Sequence, residues 1–368
     1  MCSVSSYKVW AFVLLVSGCL FFIQRGLLDT RYWKISNKHL LKTKNTTNNS
    51  IFITNRTVPP ENSNFGEKNT EHSISHIWSD QNPNSSAELL LVLFTTWKME
   101  SDKTTVYTNT FLNWKKFKPH VQPVVFTNES AVIKQAMEHG WECQPLLHVS
   151  PYNVPILKYM YIQVQQKYRS RFYAYVNSDI LFDDGLIKTL TAVNSSTSLP
   201  KVTPLLIIGQ RTNVLNVTLA ESSTFQKLHE ISKRGRLFHT YAEDYFITDR
   251  RFPWETIPEL AIGRPAYDNF LVLFARAGNM TVIDSTATIL AVHQTTRKGN
   301  NEGRSRDHSR YNFEEINKVY KTVEYGGGLT SCSNWITRYN TTTKKVTVFQ
   351  RPKHACNLIL IPKTIKNR

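Results

Sequence analysis

The sequence is poor in cysteine and in acid, and it has no glycine-rich loop where a phosphate cradle would need one. Its 5 cysteines form no CxxC pair and no zinc-type Cys/His spacing, which excludes the usual structural zinc sites. Cys2 and Cys19 lie before and within an apolar N-terminal run, leaving Cys143, Cys332 and Cys356 for the body of the chain. These allow at most one internal disulfide, and Cys332 with Cys356 is the expected pair because both lie in the tail of the chain. The stretch TTWKMES, Thr95 to Ser101, contains no glycine, which argues against the phosphate-binding loop of a sulfotransferase. Acids are outnumbered 28 to 45 by Lys and Arg, so the formal charge is +17 and the protein attracts anions. No RNA- or DNA-binding motif accompanies that charge, so nucleotide phosphates, acidic glycans and lipid headgroups are the expected partners rather than nucleic acid.

Long apolar runs are also scarce. The one at the front, Val9 to Ile23, is uncharged but short against the roughly 17 to 25 residues of a typical spanning helix. It reads as a signal-anchor over residues 9–24 behind a cytosolic tail of residues 1–8, with a cleaved signal peptide as the competing reading. Arg25, Arg31 and Lys34 follow the run and favour the opposite orientation by the positive-inside rule. N-x-S/T acceptors at Asn45, Asn48, Asn55, Asn84, Asn128, Asn194, Asn216, Asn279 and Asn340 favour a lumenal body. Residues 25–87, rich in Asn, Thr, Ser and Lys and without a period, read as a flexible stem.

From Glu88 the pattern changes. LLLVLFTTW is an apolar strand ending on Thr95 and Thr96; Thr104 to Phe117 has helical spacing; PVVFTN is a second strand. A short helix over Ala131 to His139 stops at Gly140, Trp141 to Leu147 is an edge strand, and Pro155 to Tyr168 is a helix with proline in its first turn. The next strand is Phe172 to Asp184, FYAYVNSDILFDD, whose aromatic and β-branched run breaks on Asn177, Ser178 and Asp179. Strands alternating with helices imply crossover units and a mostly parallel twisted sheet flanked by helices. Ligands of such sheets bind at the carboxyl ends of the strands. Thr95, Thr127 and Asn177 to Asp179 all fall at such ends. Beyond them, Leu205 to Gly209 is a short strand followed by Arg211, AEDYFIT opens a strand on acids, and IGRPAYDNFLVLFA is a turn running into a helix. TVIDSTATILAVHQ is a strand pair delivering His293, and Gly326 to Gly328 reads as an ordinary flexible turn.

The segments VNSDILF, AEDYFIT, IGRPAYDNFLV and VIDSTATILAVHQ resemble those of GT-A fold glycosyltransferases, the nucleotide-diphospho-sugar transferase superfamily, over roughly residues 88–303. The resemblance implies a catalytic domain of that extent with residues 304–368 as a C-terminal extension, in a Golgi type II membrane protein. It implies transfer of a sugar from a nucleotide-sugar donor to a glycan, protein or lipid acceptor, assisted by a divalent cation, Mn²⁺ or Mg²⁺. By the same resemblance Asp179 matches the final acid of the DxD motif, Asn177 replaces the first, and His293 is the late histidine ligand. Asp268 is the expected general base with Asp244 second, since an inverting transfer needs a carboxylate or histidine near the acceptor hydroxyl. Thr95, Asn177, Lys158 and Arg211 are candidates for the donor phosphates, and Asp183 and Asp184 could supply a further carboxylate. A non-catalytic nucleotide- or glycan-binding protein on the same fold is the alternative, supported by Asn177.

Overall fold

The computed structural model describes residues 88–296, 307–352 and 356–364, all within the unit Glu71–Arg368. The expected tail, anchor and stem lie outside the described residues. Among the described residues no helix is long and apolar enough to cross a membrane.

Strand β1 (Leu89–Thr96) shows why the sheet forms where it does. Leu91 to Phe94 are buried without interruption, the mark of a central parallel strand covered on both faces. It pairs in parallel with β2 (Val121–Phe126) and β4 (Ser170–Val176), and β2 pairs in parallel with β3 (Glu142–Gln144). Helices α1 (Thr104–Lys115), α2 (Ser130–Glu138) and α3 (Leu157–Lys167) make the crossovers. The expected α/β pattern therefore holds through the first half.

The full sheet runs β3-β2-β1-β4-β9-β6-β10-β13-β14, with β6 (Leu205–Ile208), β9 (Tyr245–Thr248), β10 (Thr281–Asp284), β13 (Trp335–Asn340) and β14 (Lys345–Gln350). β9 is antiparallel to both β4 and β6, whereas β6, β10 and β13 are mutually parallel in sequence across the sheet. Side chains alternate between two cores. Leu91, Leu93, Phe172 and Ala174 face α1, α2 and α4 (Gly185–Ser195); Val92, Phe94, Tyr173 and Tyr175 face α3, α6 (Tyr267–Ala277) and α7 (Tyr311–Val319).

A second, smaller sheet sits at the strand ends: β5 (Ile180–Phe182), β11 (Ala291–Thr295), β7 (Thr212–Leu215) and β8 (Arg236–Leu237), in the order β5-β11-β7-β8. Its β5 and β11 are antiparallel, with His293 opposite Ile180. α5 (Phe225–Ser232) packs beneath it through Leu228 and Ile231.

Three sequence expectations are revised. Pro155 does not begin α3; it bridges Val149 and its carbonyl accepts from Ile262, so the helix opens two residues later. Gly326 to Gly328 is not a loose turn. It is a 3₁₀ segment pressed on α6, where a Cβ on Gly328 would meet the Asn269 carbonyl oxygen at 1.8 Å and one on Gly327 the Asn357 oxygen at 2.0 Å. Asp183 and Asp184 turn away from the cleft. The expected disulfide joins Cys332 to Cys356, with their Cα atoms 5.8 Å apart.

Candidate functional site

The apolar run of β4 stops because its next residues are needed for polar work. Asn177 closes the turn: its N–H donates to the Asp244 carbonyl at 2.9 Å and its own carbonyl accepts from Ile180 at 3.2 Å. That turn carries Ser178 and Asp179 past the sheet, and β5 then pairs with β11. The pairing sets His293 across from Ile180, so its Nε2 lies 3.1 Å from Asp179 Oδ2, while its Nδ1 meets Thr295 Oγ1 at 3.0 Å.

The other carboxylate oxygen, Asp179 Oδ1, is buried with no hydrogen-bond partner among the described residues. Burial alone would push this carboxyl up, but the adjacent His293, with Arg211 and Lys103 further off, holds it down at about 2. Asp179 is therefore ionised at neutral pH, with Oδ2 on the imidazole and Oδ1 without a hydrogen bond among the described residues. The Asp179 side chain is 33% exposed, but its Oδ1 atom is buried without a hydrogen bond, which is costly, and a hard cation is one group that would satisfy it. A carboxylate oxygen beside an imidazole nitrogen fits a divalent ion such as Mn²⁺, whose remaining positions would be left for ligand oxygens and water. Trp97 Nε1 and Thr95 Oγ1 are likewise buried and unpartnered. Three of the four such atoms among the described residues thus sit at or just past the carboxyl ends of the neighbouring strands β1 and β4.

Asn177 is not placed as a metal-binding acid would be. Its Nδ2 donates to Asp244 Oδ1 at 2.6 Å, and Arg211 Nη1 holds Asp244 Oδ2 in an ion pair at the floor of the cleft. Phe238 covers the guanidinium, its ring centroid 4.3 Å away. Arg211 is thus a buried partner of Asp244 and not a surface cation.

A polar network beneath the turn fixes Asp179 from behind. Gln294 is buried; its N–H donates to the Asp179 carbonyl at 3.0 Å, and its Nε2 reaches Thr110 Oγ1 at 3.1 Å and the Val106 carbonyl at 3.2 Å. Asn109 Nδ2 donates to Gln294 Oε1 at 2.8 Å, and Thr110 Oγ1 donates to the Ser178 carbonyl at 2.7 Å. Asn113 and Trp114 bind the backbone of Phe182 and Ile180. Helix α1 thus grips residues 178–182 through side chains. Sequence reasoning passed over Asn109, Thr110 and Asn113, although Asn109 with Asn113 and Thr110 with Trp114 are i, i+4 pairs whose polar members border the apolar face.

The turn opens into a cleft of about 690 Å³. Of the sequence-derived candidates, Asn177, Asp179, Arg211, Asp244 and His293 line it, together with Thr96, Thr127 and Asn128 from the ends of β1 and β2. Thr95 lies just behind Thr96 and is wholly buried. Lys158 and Asp268 stand outside the lining: Lys158 reaches Glu259 at 3.9 Å, and Asp268 Oδ1 accepts from the Asn269 N–H at 3.0 Å. Part of the lining, Lys98, Glu100, Lys103 and Glu129, is charged with both signs; another part, from Leu146 to Pro155 and Ile262 to Arg264, is mostly apolar.

Asp183, Asp184 and His229 form a second cluster of metal-ligand type away from this lining. It is satisfied internally: Asp183 accepts from Gly185 and Leu290 N–H groups and pairs with His229 at 2.9 Å, and Asp184 pairs with Lys188 at 2.6 Å.

No protein-family model and no curated protein sequence matches the chain. Solved structures similar to it include a CMP:2-keto-3-deoxy-manno-octonic acid synthetase complexed with CTP, at 9% identity and a TM-score of 0.30, over 57% of this chain and 90% of that one. The inositol-1-phosphate CTP transferase from T. maritima is similar at 12% identity and a TM-score of 0.31, over 62% and 98% of the two chains. A mycobacterial protein is similar at 13% identity and a TM-score of 0.34, over 74% and 86%. Likenesses this low carry no functional argument. What the molecule itself shows is an α/β sheet with a crevice at the carboxyl ends of its strands that holds Asp179, Asp244, Arg211 and His293.

Proposed function

We propose that the protein is a metal-assisted glycosyltransferase that moves a sugar from a nucleotide-sugar donor to an acceptor hydroxyl. The observation that carries this reading is the Asp179–His293 pair at a strand-end turn, with Asp179 Oδ1 buried and unpartnered. Asp179 and His293 would hold the cation, which when bound neutralises the leaving diphosphate. Asn177 and Arg211 hold Asp244 in the floor, and Gln294 and Thr110 hold the turn. In the transfer the acceptor oxygen bonds to the anomeric carbon as the bond from that carbon to the diphosphate oxygen breaks. The hydroxyl proton leaves to a carboxylate of the cleft; of the two candidates for this role, Asp244 lines the cleft and Asp268 does not.

The reading extends to place. A Golgi membrane protein with a lumenal body accords with the N-terminal apolar run, the glycosylation acceptors, and the Cys332–Cys356 disulfide, a bond that persists in oxidising compartments. Protection of the body from protease in sealed microsomes, with a mobility shift on glycosidase treatment, is the expected result.

The test of activity is release of nucleoside diphosphate from a panel of nucleotide sugars with Mn²⁺, with and without glycan, glycoprotein and glycolipid acceptors. Acceptor-stimulated release is expected. Nucleotide binding with no release from any donor favours the non-catalytic reading, for which the amide of Asn177 on Asp244 is the specific support.

A further inference from the structure

Two parts of the cleft lining differ in chemistry, and the difference bears on what the acceptor is. The lining after β1 and β2 carries Lys98, Glu100, Lys103 and Glu129; another stretch presents Leu146, Val149, Tyr152, Val154, Pro155 and Ile262, with Asn153 among them and Arg264 at its end. This wall is one built structure. Val149 bridges Pro155, Ile156 bridges Ala261, and the Ile262 N–H donates to the Pro155 carbonyl at 3.1 Å. Inside the loop the buried Ser150 accepts from the Tyr152 and Val154 N–H groups, both at 3.3 Å. The wall also continues outward: Leu147 is 65% exposed, Val149 44% and Tyr152 43%, with His148 and Asn153 exposed beside them and the His308 ring stacked on Tyr152. Single exposed apolar residues are ordinary, but a run of them joined to an apolar cleft wall marks an interaction surface.

We propose that this wall seats the apolar aglycone of an amphipathic acceptor, an alkyl, acyl or aryl glycoside, with its sugar hydroxyl turned toward Asp179 and Asp244. The proposal rests on the glycosyltransferase reading and narrows its acceptor class. A free, fully hydrated saccharide would leave the wall in contact with water. A hydrocarbon tail lying along it removes apolar area on both sides, worth up to about fourfold in affinity for each fully buried methylene. The charged stretch of the lining, with Lys103 paired to Glu100, would gain nothing from such a tail.

The test compares methyl with octyl glycosides, across a panel of sugars, as acceptors for the wild type, for a Leu147→Ser/Val149→Ser double variant and for Val202→Ser. Val202, 85% exposed and outside the cleft lining, is the control. Expected is a KM at least about tenfold lower for the octyl than for the methyl glycoside, kept in V202S and reduced to less than about twofold in the double variant. Thermal melting of the double variant should match the wild type, because both residues are exposed. Equal KM values for the two glycosides overturn the inference and leave the glycosyltransferase reading standing. No transfer to either glycoside and no release from any donor overturns both. Equal binding of the wild type to acceptor-free phosphatidylcholine vesicles, lost in the double variant, reassigns the wall to a membrane surface and overturns the acceptor assignment.

Discussion

Asn177 donates its side-chain amide to Asp244 Oδ1 at 2.6 Å, at the position where an acidic motif would put its first carboxylate. The asparagine is therefore fitted to a neighbouring acid. Restoring an acid should harm the protein: Asn177→Asp places two carboxylates in contact, with Arg211 already committed to Asp244. A loss of about 1–3 kcal/mol at neutral pH is expected. Chemical denaturation measures it, and unchanged stability with tighter Mn²⁺ binding would overturn this account of Asn177.

Gln294 serves Asp179 from below, so Gln294→Leu should act on the site as well as on the fold. Removing the amide takes one hydrogen bond each from Asn109 and Thr110, which keep the Val217 and Ser178 carbonyls, and costs about 0.5–1.5 kcal/mol per bond. Loss of such a supporting contact typically weakens metal affinity about 10- to 100-fold. Mn²⁺-dependent nucleotide binding below the melting range of the variant separates the two effects; a purely structural role would leave that affinity intact.

Glu243 supplies the pH dependence. It is buried behind Asp244 with Thr330 Oγ1 donating to it at 2.7 Å, and burial, with the charge of Asp268 beside it, raises its carboxyl well above the ordinary value of 4.5. The fold therefore prefers the protonated form. The stability this contributes is complete below about pH 4.5 and is lost as pH rises through the folded-state value. Glu243→Gln, which keeps the shape and cannot ionise, should equal the wild type near pH 4.5 and exceed it by at least about 1 kcal/mol at pH 8. Parallel stability curves for the two proteins would show that Glu243 is not the titrating group.

Gly328 tests the packing of the C-terminal segment. A methyl group there would meet the Asn269 carbonyl oxygen at 1.8 Å, and that backbone belongs to α6 and has little room to yield. Gly328→Ala should cost about 2–4 kcal/mol in chemical denaturation, within the range of severe single substitutions. A change below about 0.5 kcal/mol would mean the segment is loosely held.

Much of the first half was legible because local pattern and tertiary environment agree there. The apolar, β-branched and aromatic runs of β1 and β4 read as central strands, and the polar break at Asn177 to Asp179 marks a strand end. His293 was legible through its resemblance to a late ligand, and the β5–β11 pairing brings it to Asp179. Other features were hidden for physical reasons. The antiparallel insertion of β9 depends on pairing between segments some 70 residues apart, to which periodicity is blind. Asn109, Thr110 and Asn113 were passed over because nothing local reveals their distant partners, Gln294 for the first two and the Phe182 backbone for the third. The glycines at 326–328 looked like a turn because close approach by distant backbone leaves no mark in the sequence. Asp268 and Lys158 were proposed from position in a segment, and the direction of a side chain relative to the cleft is set by packing.

The central claim is that Asp179 and His293 form a cation-dependent nucleotide site. Calorimetric titration of the purified protein with UDP and with GDP, in Mn²⁺ and in EDTA, for the wild type and for Asp179→Ala, measures it directly. The account predicts nucleotide binding at least about tenfold tighter with Mn²⁺ than without in the wild type, and loss of that difference in the variant. Nucleotide affinity equal in Mn²⁺ and EDTA, or an undiminished Mn²⁺ effect in Asp179→Ala, would contradict it.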